Sequence, residues 1–218
     1  MILLSDPKIA AIPSADNGEP LVDIRDVPEL HWDKRLADEA GAFARLREGV
    51  LQRLLTAQSV LPYGFRLLIV EGYRPASLQR QYFEEYKAEL RLKYPQWTED
   101  RLHVEASKYV SPPEVAPHGT GGAVDLTMCT AAGDELDLGT EVNESPEASG
   151  NRCFTASRDI SIDARRNRQT MVAALSEAGL VNYPTEWWHW SFGDRYWAFS
   201  TKAPSTRYGT VAAVPARR

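Results

Sequence analysis

The sequence predicts an α+β fold, on three observations. Segments with helical spacing of apolar residues mix with short apolar runs of strand length, and they do so without a regular βαβ rhythm. No linker-like stretch and no internal repeat divides the chain, so residues 1–218 read as one domain with an extended N-terminal arm over about 1–30. That length is enough to bury a full core.

Residues 5–30 carry Pro7, Pro13, Pro20 and Pro28 and read as the arm or as short edge elements. From about His31 to Ala57 the pattern predicts a helix, with Phe43, Leu46, Val50 and Leu54 on one face and Pro62 ending it. Phe65 to Val70 is a buried strand. A helix follows Pro75, with Ser77 near its N-cap and Leu78, Tyr82, Tyr86 and Leu90 along one face. Another starts at Thr98, where Glu99 and Asp100 suit the positive end of the helix dipole. Gly122 to Met128 predicts a strand carrying Asp125. The polar stretch 139–153 predicts a long loop, a feature usually tied to a site. A helix over about 161–178 stops at Gly179, and the aromatic run from Trp187 to Phe199 reads as strands.

Two motifs carry metal chemistry. In His118-Gly-Thr-Gly-Gly-Ala-Val-Asp125, three glycines let the backbone fold back so that an imidazole and a carboxylate can converge on one ion. Alone, that spacing fits a glycine-rich hairpin equally well. Glu186-Trp-Trp-His189 adds a second imidazole and a spare acid. Three residues apart, Glu186 and His189 would face opposite sides of a regular strand, so both serve one ion only with a bend or bulge between them or with Glu186 in the loop, the easier option after Pro184-Thr185. The plainer reading makes Trp187, Trp188, Trp190, Phe192, Tyr196 and Trp197 an aromatic core. An acid and a histidine among them still need partners or a metal. Three ligands, an open position and a nearby base are the inventory of a catalytic zinc site. Glu71-Gly-Tyr-Arg74-Pro follows the first strand. Arg74 there suits an oxyanion or a carboxylate, against the simpler reading of an Arg74–Glu71 surface pair worth under ~1 kcal/mol.

Together these residues resemble the zinc D-alanyl-D-alanine dipeptidases, within the wider group of peptidoglycan-directed zinc peptidases. The likeness rests on Glu-Gly-Tyr-Arg-Pro at 71–75, His-x-x-Gly-x-Ala-x-Asp at 118–125, Gly-Thr at 139–140 and Glu-Trp-Trp-His at 186–189. It implies a central antiparallel sheet bearing the site and one zinc ion per chain held by His118, Asp125 and His189. Glu186 is then the general base, Arg74 the oxyanion stabiliser and a small peptide the substrate. The resemblance also implies a substrate-binding role around positions 116 and 143, where such enzymes usually carry serine and aspartate to hold a free ammonium group. This chain has Ala116 and Asn143. Either Glu141 or Glu144 replaces the missing carboxylate, or the enzyme takes a longer or N-blocked peptide as a D,D-carboxypeptidase would. A zinc-containing binding module without catalysis is the rival class. Retention of Glu186 and Arg74 argues against it.

Composition narrows the partners. A formal charge of −5 disfavours nucleic acid. No run approaches the ~20 apolar residues of a membrane span. Met1 to Pro7 has neither a basic segment nor a long apolar run, so no signal peptide is read and the cytoplasm is the expected setting. Cys129 and Cys153 are expected to be reduced.

Overall fold

The computed structural model describes residues 2–211. The arm folds into short elements: helix α1 (Pro7–Ala10), capped by the Asp6 side chain, then strand β1 (Leu21–Asp23) and a 3₁₀ turn at Ile24–Asp26. A two-residue strand β2 (His31–Trp32) follows, then β3 (Arg45–Arg47), which pairs antiparallel with β1. Helix α2 runs Glu48–Val60 and stops at Leu61, just before Pro62. The helix expected from His31 is therefore confined to its second half. Upstream, the Asp38 carboxylate accepts from the backbone N–H groups of Ala40, Ala42 and Phe43, and Gly41 adopts positive φ. Side-chain capture of backbone donors outcompetes helix there.

Strand β4 (Phe65–Glu71), helix α3 (Ala76–Lys93) and helix α4 (Glu99–Ala106) lie where the periodicity put them. Pro75, not Ser77, takes the N-cap position of α3, while Thr98 caps α4 as expected. Strand β5 (Ala123–Thr130) carries Asp125, and the 139–153 loop holds one short helix, α5 (Pro146–Ser149). Helix α6 (Ile162–Glu177) is capped by Ser161 and ends before Gly179. Strands β6 (Val181–Asn182) and β7 (His189–Ser191) follow. The aromatic run does not stay extended. Gly193 turns the chain at positive φ and Asp194 caps helix α7 (Arg195–Thr201), so strand gives way to helix after Phe192.

The main sheet has the order β2-β4-β5-β7-β6. Its pairs from β4 to β6 are antiparallel, as expected, and only the edge strand β2 joins in parallel. Strand alternation sorts its two faces. Leu67, Ile69, Val124, Leu126, Met128 and Trp190 belong to the apolar core with Leu54 of α2 and Met171 of α6. Each such side chain contributes ~1.5–3 kcal/mol by burial. Asp125 and His189 therefore face away from that layer. Cys129 and Cys153 are free thiols, both buried. Among the described residues no helix is long and apolar enough to cross a membrane.

Candidate metal centre and substrate cleft

Three neighbouring strands bring the polar side chains together. Glu71 is the register partner of Asp125, and Asp125 is the register partner of His189. A register shift between Ile69 and Glu71 re-aims the end of β4, where Glu71 lies. His118 enters from the 3₁₀ turn Pro117–Thr120 just before β5. Gly121 reverses the chain there at positive φ, and a side chain at that position would overlap Leu21.

The result is a close triad. His189 Nδ1 lies 2.9 Å from Asp125 Oδ1 and 3.2 Å from His118 Nε2, which is 3.4 Å from Asp125 Oδ2. One donor atom from each of the three residues falls within 4.8 Å of the others, and all three residues are buried. The His118 Nδ1–H is occupied by the Gly72 carbonyl at 2.7 Å, which leaves Nε2 with its lone pair facing the triad. Two imidazole nitrogens and a carboxylate converging this closely are, once the facing nitrogens give up their protons, a donor set for a divalent ion with one position left open.

Glu186 sits in the turn before β7, not within it, and its Oε2 is 4.0 Å from His189 Nδ1. Of the two arrangements the odd spacing allows, the loop placement is the one adopted. Its side chain is 20% exposed, and burial pushes its pKa up to about 7 against the pull of His189 and Arg74. Burial also acts to raise Asp125, but His118 and His189 outweigh it and hold that carboxyl well below the usual range. Arg74 is not a surface residue. Its Nε donates to Glu71 Oε1 at 2.8 Å, its Nη2 to Glu71 Oε2, and its Nη1 to Gln79 Oε1 at 2.8 Å, with Glu71 only 2% exposed.

The sequence profile of the peptidase M15 family, described as D-ala-D-ala dipeptidase, matches residues 34–205. This chain belongs to that family. Membership makes it a zinc-dependent metallopeptidase. It is 29% identical to a D-alanyl-D-alanine dipeptidase of Synechocystis sp. over 221 residues, covering 87% of this chain and 88% of that one. A D-alanyl-D-alanine dipeptidase of Escherichia coli K12 is 28% identical over 126 residues, covering 58% of this chain and 54% of that one. Among solved structures, that of the LdcB LD-carboxypeptidase is similar at 19% identity and a TM-score of 0.49, covering 87% of this chain and 77% of that one.

The triad opens into a cleft of about 860 Å³ that Arg74, His118, Asp125, Glu186 and His189 help to line. The cleft follows α3 from Gln79 to Lys93, roughly 21 Å at 1.5 Å per residue. Tyr82, Tyr86 and Leu90, which the sequence places along one face of the helix, are part of its wall. Opposite them, Tyr109 donates its hydroxyl to the Asn143 carbonyl at 2.9 Å, and its ring lies 5.1 Å from that of Tyr86.

The residues expected to bind substrate separate here. Asn143 lines the cleft. Ala116 is sealed and opens the His118 turn, and Glu141 is exposed, with neither among the residues that line the cleft. Glu144 accepts from the Glu141 backbone N–H at 3.3 Å, while Glu147, further along the same loop, does line the cleft. Gly139-Thr140 is tied to the second motif, because Trp187 Nε1 donates to Thr140 Oγ1 at 2.7 Å.

Two buried arginines brace the site, and sequence reading missed both. Arg47 donates to the carbonyls of Thr120, Glu19 and Gly209, which pins the turn that carries His118. Arg168 donates to the carbonyls of Leu138, Arg152 and Phe154, which pins both ends of the long loop. Burial lowers its pKa to about 10. Captured backbone carbonyls leave no periodic signal, although an arginine at a core-facing helical position, as at 168, is a hint.

Proposed function

We propose that this protein hydrolyses D-alanyl-D-alanine, with His118, Asp125 and His189 holding one zinc ion, Glu186 as general base and Arg74 as oxyanion stabiliser. When bound, the ion polarises the scissile carbonyl and makes an attacking water more acidic. Glu186 accepts the proton of that water and returns it to the departing amine. Arg74 has five N–H groups and spends three on Glu71 and Gln79, so two remain for a developing oxyanion. The observation that carries this reading is the pairing of a three-donor site with an unligated, mostly buried carboxylate 4.0 Å from one donor.

A second reading is favoured by the cleft itself. A dipeptide spans about 7 Å extended, whereas the wall along α3 is roughly three times that. A longer or N-blocked cell-wall peptide would use this length, with its scissile bond at the same site. The proposed partner in either case is a small peptide, not nucleic acid. The proposed setting is the cytoplasm, which suits two buried free thiols and is checked by cell fractionation.

The zinc-loaded protein should be offered D-Ala-D-Ala and its N-acetylated form, with products followed by mass spectrometry and Glu186→Ala as control. Cleavage of the free dipeptide supports the first reading, and cleavage of the blocked form alone supports the second. Wild-type rates from the Glu186→Ala protein would remove the proposed base.

A further inference from the structure

Once Nδ1 is given to an ion in the triad, the proton left on a neutral His189 sits on Nε2, on the far side of the ring. That Nε2 is sealed from solvent and has no hydrogen-bond partner among the described residues. A metal-ligating imidazole nearly always donates this second N–H to a carboxylate, carbonyl or water, which fixes its tautomer. Two other sealed, unpartnered oxygens belong to the same segment. Ser191 shares the His189 face of β7 by strand alternation, and its Oγ is one of them. Asp194 supplies the other. Its Oδ1 accepts from the Trp197 N–H at 2.7 Å to cap α7, whereas its Oδ2 is buried and unpartnered. Asp194 is 1% exposed and Ser191 fully buried, and both Ser191 and His189 act on the Asp194 carboxyl. The Ser191 hydroxyl is within donor reach of the Asp194 carboxyl, the His189 ring acts on that same carboxyl, and the His189 Nε2–H is left without a partner that a buried water could also supply.

We infer that Asp194, with the Ser191 hydroxyl completing the network, is the acceptor for His189 Nε2–H and acts as a positioning residue for the metal centre. Its carboxylate does two jobs at once: one oxygen starts α7, and the other holds His189 in the tautomer that presents Nδ1 to the ion. The inference rests on the reading of His189 as a ligand.

The two roles can be separated because asparagine and serine cap helices about as well as aspartate. In Asp194→Asn the amide can keep the cap only by turning its NH₂ toward the His189 N–H, a donor facing a donor. Asp194→Ser keeps the cap and removes the second acceptor. Zinc affinity should be measured by chelator competition for wild type, both variants and His189→Ala, with thermal melting of the metal-free proteins alongside. Nitrogen-15 NMR of the zinc-loaded wild type should report which His189 nitrogen carries the proton. The expected result is a 10–100-fold weakening of zinc binding in both variants, with little change in melting and a wild-type His189 protonated at Nε2. Wild-type zinc affinity in both Asp194 variants, or a wild-type His189 protonated at Nδ1, would overturn the role of Asp194. If His189→Ala binds zinc as tightly as wild type, the ligand reading itself fails, and this inference with it. The wild-type NMR result stands even if a variant does not fold.

Discussion

The two ends of the cleft are built differently. At the metal end, each functional side chain is held by backbone or by a buried partner: His118 by the Gly72 carbonyl, Asp125 and His189 by strand register, Arg74 by Glu71 and Gln79. At the outer end, the wall is made of half-exposed tyrosines and glutamates on α3, with Leu3 and Leu4 of the arm and the 143–147 stretch of the loop. Rigid placement suits bond breaking, where a small misplacement is costly. A wall of partly solvated side chains suits selection among substrates, where each contact counts for little. Substitutions at the two ends should therefore differ in kind as well as in size.

The largest effect belongs to Glu186. Glu186→Gln keeps the shape and removes the proposed base, so kcat should fall by about 10²–10⁴-fold, while zinc stays stoichiometric by atomic absorption. Loss of zinc together with activity would show that Glu186 is a ligand, and the division between holding and reacting would collapse. Arg74→Lys comes next. Lysine keeps the charge but not the fork that grips Glu71 and Gln79. We expect a drop of about 10²–10³-fold in kcat with KM changed much less. A KM effect alone would make Arg74 part of substrate binding.

The convergence of residues at the metal end was legible in the sequence, and its surroundings were not. His118, Asp125, His189 and Glu186 were readable because few residue types serve such chemistry and because three glycines and a Pro-Thr turn constrain the spacing. The strand, helix and loop order from Phe65 to Gly179 followed from periodicity and caps. The stretch from His31 to Arg47 did not, because one carboxylate, Asp38, captures donors that a helical pattern would have used. The helix after Phe192 was missed because aromatic density says strand, whereas Gly193 and the Asp194 cap decide otherwise. Arg47 and Arg168 were invisible because their partners are carbonyls distant in sequence.

A smaller effect appears in stability without metal. The Glu186 carboxyl rises from an ordinary 4.5 to about 7 on folding, so the folded state holds its proton more tightly than the unfolded chain. Stability of the metal-free protein therefore falls as pH rises through that window, by at most about 3 kcal/mol from this group. Glu186→Gln cannot ionise and should lose that component. Urea midpoints at pH 5 and pH 8 should differ more for wild type than for the variant. Equal differences would mean that the carboxylate is solvated in the folded protein.

The smallest effects should come from the outer wall, and they sharpen the comparison most. Glu147 is exposed on the loop, and Tyr86 is half-buried across the cleft. Glu147→Gln and Tyr86→Phe each remove one polar function without emptying a core, so stability should move by no more than about 0.5 kcal/mol. A free dipeptide bound at the metal end reaches only the first ~7 Å of the cleft, and its kcat/KM should hardly change in Tyr86→Phe. A longer peptide running along α3 passes Tyr86, and its KM should rise by a few-fold, the effect of about one lost hydrogen bond. The two substrates thus respond differently only if the second half of the cleft is used. Equal, small responses would confine the enzyme to the dipeptide, whereas a selective response of the longer peptide would make α3 the wall that recognises it.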